Sequence, residues 1–147
     1  MITREFSMHE DPGGIIRLCQ VLATIPANTW QWSMLDYEGE GRAPGGQPYE
    51  QFVSSVRDGG YPFDWPALTA FAADLGQTIW CLVVAVHTWD GVALDRVMAD
   101  DYEQCLVAVE AFDSSTWTVS VNDQALPTVV VRRICGGIDR LVADGPS

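Results

Sequence analysis

Cys105-Leu106-Val107-Ala108-Val109-Glu110-Ala111-Phe112-Asp113-Ser114-Ser115-Thr116-Trp117-Thr118-Val119-Ser120-Val121 is the stretch that decides the fold. Its residues alternate in character on both sides of a short polar link, and a period of two is the mark of strands with one buried face. Two registers compete. A two-residue turn at Ser114-Ser115 pairs Phe112 with Trp117 and sets Glu110 beside Val119. A three-residue loop, Asp113-Ser114-Ser115, pairs Ala111 with Trp117, Val109 with Val119 and Val107 with Val121. It also sets Glu110 opposite Thr118, Ala108 opposite Ser120 and Leu106 opposite Asn122. A slip of one residue turns every side chain to the other face, so hydrophobic matching selects the three-residue loop. That loop lacks the glycine such turns prefer.

Working outward, Thr78–Val86 is apolar throughout and rich in β-branched residues, which predicts a central strand covered on both faces. Trp30–Glu38 reads as a strand with Trp30, Trp32, Met34 and Asp36 on one face. Thr3–Met8 is a short first strand, and the hairpin strands run Gln104–Phe112 and Thr116–Asn122. Between them lie helical spacings. Pro12-Gly13-Gly14 opens a helix with Ile15, Leu18, Cys19 and Leu22 on its stripe, ended by Pro26. Tyr49, Phe52, Val53 and Val56 mark a second, stopped by Gly59-Gly60. Asp64 caps a third, with Pro66 in its first turn and Leu68, Phe71, Ala72 and Leu75 facing inward. Pro127 opens the last, with Val131, Ile134, Ile138 and Leu141 aligned. Gly136-Gly137 inside that helix costs about 1 kcal/mol per residue relative to alanine, which close packing against a neighbour would explain. Glu38–Pro48 is a glycine- and proline-rich loop, Thr88–Tyr102 fits no single element, and the tail from Asp144 to Ser147 is expected to fray. The expected architecture is a single α+β domain over residues 1–147, a mostly antiparallel sheet with helices packed on one face.

The chain has 147 residues, 48% of them apolar, enough for a core without staples. Eight arginines, no lysine and twenty carboxylates give a net charge of −12. Such a balance offers no basic groove for DNA or RNA and no attraction to anionic membranes. It suits solubility, or a basic protein partner reached by electrostatic steering. The start, Met1-Ile2-Thr3-Arg4-Glu5, leads into His9-Glu10-Asp11 and not into an apolar signal region, and the longest apolar run is too short to span a bilayer. The expected location is the cytoplasm.

Chemistry-bearing patterns are few. Cys19, Cys81, Cys105 and Cys135 each sit in an apolar segment with no two-residue spacing, so they read as small buried hydrophobes in a reduced protein without bound metal. His9 and His87 are isolated, and His87, closing the apolar strand, reads as a structural histidine. The glycines between Gly39 and Gly46 lack the parts that hold a phosphate, and no serine lies in a nucleophile elbow. Asp100-Asp101-Tyr102-Glu103 does not follow a calcium-loop pattern and reads as a solvated turn. Glu110, opposite a threonine, reads as a surface residue, and Arg132-Arg133 as an exposed helix face. No catalytic residue and no cofactor are expected.

Six tryptophans are many for this length. Periodicity gives Trp65, Trp80 and Trp117 core positions, whereas Trp89 adjoins Asp90-Gly91 in a loop, where an aromatic beside carboxylates suits a binding hot spot. Strong acidity, small size, many tryptophans, the hairpin from Glu110 to Val119, then Asp123 and a final helix together resemble the bacterial immunity proteins that accompany polymorphic or contact-dependent toxins. The resemblance covers the last third of the chain. It implies tight one-to-one inhibition of a cognate toxin made by the same cell, by occlusion of a basic active-site cleft. The expected contact surface is the loop carboxylates Asp36, Glu38, Glu40, Asp90, Asp100, Asp101 and Glu103 with Trp89 as aromatic anchor. The alternative is a small-molecule-binding domain or enzyme with a pocket on a curved antiparallel sheet, lined by Trp30, Trp32 and Glu110, or by His87.

Overall fold

Strand β6, Thr78–Val86, is the middle of the molecule, and its residues from Cys81 onward are buried from both sides, as an unbroken apolar run requires. The computed structural model describes residues 1–10 and 13–144. On one side of β6 lie β7 (Val107–Phe112), β8 (Thr116–Val121) and β1 (Ile2–Ser7); on the other lie β4 (Gln31–Gly39) and β5 (Tyr61–Phe63). The order is β1-β8-β7-β6-β4-β5, with every neighbour antiparallel. A two-stranded ribbon, β2 (His9–Glu10) with β3 (Gly14–Ile15), stands apart.

The hairpin takes the three-residue loop. Val107 pairs with Val121, Val109 with Val119, Glu110 with Thr118 and Ala111 with Trp117. The Ser115 N–H donates to Phe112 O at 2.9 Å, and Asp113 and Ser114 take φ of 48° and 57° where glycine would be easier. The Ser114 N–H also donates to Ile79 O at 2.9 Å, which ties the loop to the start of β6.

One face of the sheet carries Trp32, Met34, Tyr37, Val83, Val109, Trp117 and Val119 into the larger core. Four helices close it: α1 (Leu18–Leu22), α2 (Tyr49–Arg57), α3 (Trp65–Ala73) and α5 (Thr128–Asp144). The Asp64 carboxylate caps α3 by accepting from the Ala67 N–H at 2.8 Å. Tyr37, Phe52, Phe63 and Phe71 form an aromatic cluster with centroids 5.3–5.5 Å apart. Trp117 is fully buried and its indole N–H donates to Ile16 O at 2.9 Å. At Gly137 an added Cβ would stand 3.0 Å from the Thr24 Cβ, so α5 packs so closely on the end of α1 that a side chain there requires Thr24 to shift.

The other face is only partly clothed. Leu35, Leu82, Val84, Val86 and Ala108 pack under the 89–105 segment, whose helix α4 (Leu94–Met98) buries Val97. The antiparallel α+β architecture is as expected, with four helices on one face and α4 alone on the other. The position of α4 departs from the expected packing of the helices on one face, and further details differ from the sequence reading. The first helix begins at Leu18 because Gly14–Ile15 extend to pair with His9–Glu10, while Pro12, read as its opener, lies outside the described residues. Of the tail expected to fray, Asp144 is the last residue of α5, and residues 145–147 lie outside the described residues too. Strand β5 was not foreseen, since it is short and contains Pro62, which only a sheet edge tolerates.

Candidate functional site

The partly clothed face is laid out in rows set by the strand register. One row runs Asp36, Leu82, Glu110, Thr118 and Glu5 across β4, β6, β7, β8 and β1. In the adjacent row Glu38 pairs with Trp80, and Phe112 pairs with Thr116. The Trp80 and Phe112 rings meet edge to face, with centroids 4.9 Å apart. Strands lie roughly 4.8 Å apart, so the backbones of Asp36 and Glu110 are about 10 Å apart with Leu82 between them.

Asp36 reaches this face through a β-bulge. Met34 pairs with Val83 and Asp36 with Leu82, so Leu35 is the extra residue. Leu35 and Asp36 therefore both lie on the second face, where simple alternation from Trp32 and Met34 would have carried Asp36 into the main core.

Cover over this face ends at α4. Met98 is 51% exposed and Phe112 54% exposed at the border. Between them lies a hollow of about 230 Å³, lined by Asp36, Trp80, Met98, Asp100, Glu110 and Phe112. Asp100 arrives there because α4 ends with it in the left-handed region, φ 65°, which aspartate tolerates better than most residues. The Tyr102 hydroxyl lies 2.9 Å from Glu110 Oε2 and 3.2 Å from Asp100 Oδ1. A phenol has one proton to donate, so it serves one of the two carboxylates at a time. Burial first, then the bond to Glu110 and the charges of both carboxylates, push the Tyr102 phenol well above its ordinary value.

The eight residues expected at a contact surface divide into groups. Asp36, Glu38 and Asp100 belong to the hollow or its adjoining row. Asp101 is held by Arg96, whose Nη2 lies 2.7 Å from Oδ2, and Glu103 lies 3.7 Å from the same nitrogen. The hydrogen bond from Arg96 is the largest cause holding the Asp101 carboxyl below the usual range. Glu40 continues past the end of β4, where its backbone pairs with Gly76 and Gln77. Trp89 and Asp90 lie at the opposite end of the sheet, where the Trp89 N–H donates to Gln31 Oε1 at 3.3 Å. Five residues of strand separate Gln31 from Asp36, roughly 15 Å. The Trp89 side chain is half-buried against the second core cluster.

Sequence reading missed Trp80, Phe112, Met98 and Tyr102 as members of this site. The signal for Phe112 was present: it follows Ala108 and Glu110 on the outward phase of β7, an aromatic on a polar face. Trp80, read as core, is only partly buried, because α4 stops short of its end of β6 and the Phe112 ring covers it from one side. Glu110 does pair with Thr118 as expected, yet it is half-buried and bonded to Tyr102.

Trp32 and Glu110, set together in the alternative pocket, do not meet. Trp32 is buried in the main core and Glu110 lies on the opposite face, so one cavity cannot hold both. His87 is exposed just beyond the end of β6 and is not the structural histidine expected. His9 bonds Ser114 O at the other end of that strand, on the order of 25 Å from His87. Cys81, Cys105 and Cys135 are buried and Cys19 half-buried, as small hydrophobes. Burial, then the charge of Asp101, raises the Cys105 thiol to about 11, too high for a reactive thiolate. Among the described residues no group of three or more His, Cys, Asp or Glu side chains is placed to hold a metal ion, and no helix is long and apolar enough to cross a membrane.

A larger but open groove of about 490 Å³ lies between α1 and α5, lined by Arg133 and Arg140 among others. Both arginines are exposed, and the groove has little apolar wall. No family model matches the chain, and neither a curated protein nor a solved structure is found similar to it.

Proposed function

We propose that this protein is an immunity protein that binds a cognate bacterial toxin and neutralises it by covering the toxin's basic active-site cleft. One observation carries the reading: at the edge of the cover on the second face, carboxylates gather around the exposed Phe112 ring and the partly buried Trp80 beside it. A soluble protein rarely leaves apolar and charged groups so combined without a partner. The surface is acidic, so the partner is a protein with a basic cleft and neither a nucleic acid nor a membrane. The site of action is the cytoplasm of the producing cell, the chain itself performs no catalysis, and no cofactor takes part.

Within the expected contact set, Asp36, Glu38 and Asp100 form the centre, Glu40, Asp90, Asp101 and Glu103 contribute a charged periphery that speeds encounter, and Trp89 is an aromatic anchor at the far end. The test is to express any toxin domain encoded beside this chain and to measure binding and inhibition across a salt series. A variant neutralised at Glu38, Glu40, Asp100 and Asp101 should associate more slowly and show a shallower salt dependence. Unchanged affinity and salt slope would remove this surface from the interface. Failure of the wild-type chain to bind the neighbouring gene's product would remove the function.

A further inference from the structure

We infer that the hollow between α4 and the Trp80–Phe112 pair is a socket for an arginine side chain presented by a protein partner. The inference rests on the inhibitory reading for the partner's identity, and on the geometry alone for its chemistry. Three features converge. The floor and one wall are aromatic, because Trp80 and Phe112 meet edge to face at 4.9 Å and Phe112 is more than half exposed. Aromatic faces attract a cation, and a flat guanidinium stacks on them better than an ammonium does.

Carboxylates surround that wall. Asp36, Asp100 and Glu110 line the hollow, and Glu38 is paired with Trp80 in the adjoining row. No arginine stands in either row, and the cation of the neighbouring helix, Arg96, is occupied by Asp101 and Glu103. The negative charge of the hollow is therefore unanswered within the site, and its complement is a positive side chain.

The third feature is orientation. The Tyr102 hydroxyl holds Glu110 through Oε2 at 2.9 Å. A carboxylate fixed by one oxygen is preorganised to accept a forked N–H pair with less loss of freedom than a mobile one. Arginine presents such a fork in a plane, whereas lysine offers a strongly hydrated point charge. Met98, 51% exposed at the rim, is suited to an apolar residue beside that arginine.

The experiment has two arms on the full chain. In the first, the protein is titrated with a blocked Leu-Arg-Leu peptide, and with its lysine and citrulline counterparts, followed by residue-resolved NMR. The arginine peptide should shift residues 80, 98, 100, 110 and 112, and citrulline should bind at least tenfold more weakly. Phe112→Ser and the pair Asp36→Asn with Glu110→Gln should each abolish these shifts while the rest of the spectrum keeps its dispersion. Absence of shifts at those residues, or equal response to arginine and citrulline, would overturn the socket. Equal response to lysine would overturn its guanidinium selectivity.

The second arm measures the same variants against the protein encoded beside this chain. A loss of affinity of at least tenfold supports the socket. Tight binding that the variants leave unchanged overturns it and leaves the inhibitory function standing. Arginine-peptide shifts without any toxin binding support the socket and remove the inhibitory function.

Discussion

The two faces of the sheet use the same strands to opposite ends. One is sealed by four helices over tryptophan, valine and phenylalanine side chains, several with no exposure at all. The other is covered by the 89–105 segment over Val84, Val86 and Ala108, and the cover thins at Trp80 and ends at the exposed Phe112. Burial of apolar area is the main source of stability, so the sealed face should hold the fold together. An aromatic pair half in water contributes less to folding and is available for contact. Where a strand alternates, one sequence can serve both ends, because neighbouring residues face different layers.

The largest test of this contrast compares Trp117→Ala with Phe112→Ala, residues of adjacent strands. Trp117→Ala should cost about 3–5 kcal/mol in urea unfolding, since it empties a filled site and strands the Ile16 carbonyl. Phe112→Ala should cost less than about 1.5 kcal/mol, the scale of its edge contact with Trp80. Comparable losses from both would break the distinction between the faces.

Tyr102→Phe probes the border of the open face. It should cost about 1–3 kcal/mol at neutral pH, because half-buried Glu110 loses its donor. Its alkaline behaviour has a definite sign. The folded phenol is raised, so its contribution is complete below the unfolded value of about 10 and is lost as pH climbs above it. Unfolding followed at rising pH should show a shallower alkaline decline above about 10 in the Phe variant. Part of the decline should remain, since burial raises the Tyr37 phenol in the same direction. The Cys105 thiol, raised to about 11, adds a decline that starts nearer the unfolded thiol value of about 8.5.

The smallest effect concerns the tightness of the sealed side. Gly136→Ala should stabilise α5 by up to about 1 kcal/mol, since the nearest group to its new methyl is the movable end of Arg140, 3.6 Å away. Gly137→Ala gains the same propensity but meets Thr24 at 3.0 Å, so it should fall short of Gly136→Ala in thermal unfolding. Equal gains would show that α1 yields, and that the sealed face is looser than its packing implies.

Much of this protein could be read without coordinates. The β7–β8 register, the doubly buried β6, the capped α3 and the stripe of α5 all follow from periodicities that one segment carries by itself, because the period of a strand or helix is a local property of the backbone. The acidity and the lack of a nucleophile pattern were equally plain. Three decisions belong to the tertiary structure. Leu35 bulges out of β4, which a count of alternating residues along Trp32, Met34 and Asp36 cannot reveal, since a bulge is defined by mismatch with the partner strand. The 89–105 segment clothes only part of the second face, so Trp80 is only partly buried although its own strand reads as core. Arg96 draws Asp101 and Glu103 away while Asp100 and Glu110 share Tyr102, a division among neighbouring acids that depends on where α4 ends. A sequence sets which faces are apolar; which part of a face remains uncovered depends on segments far along the chain reaching it, and only their packing settles that.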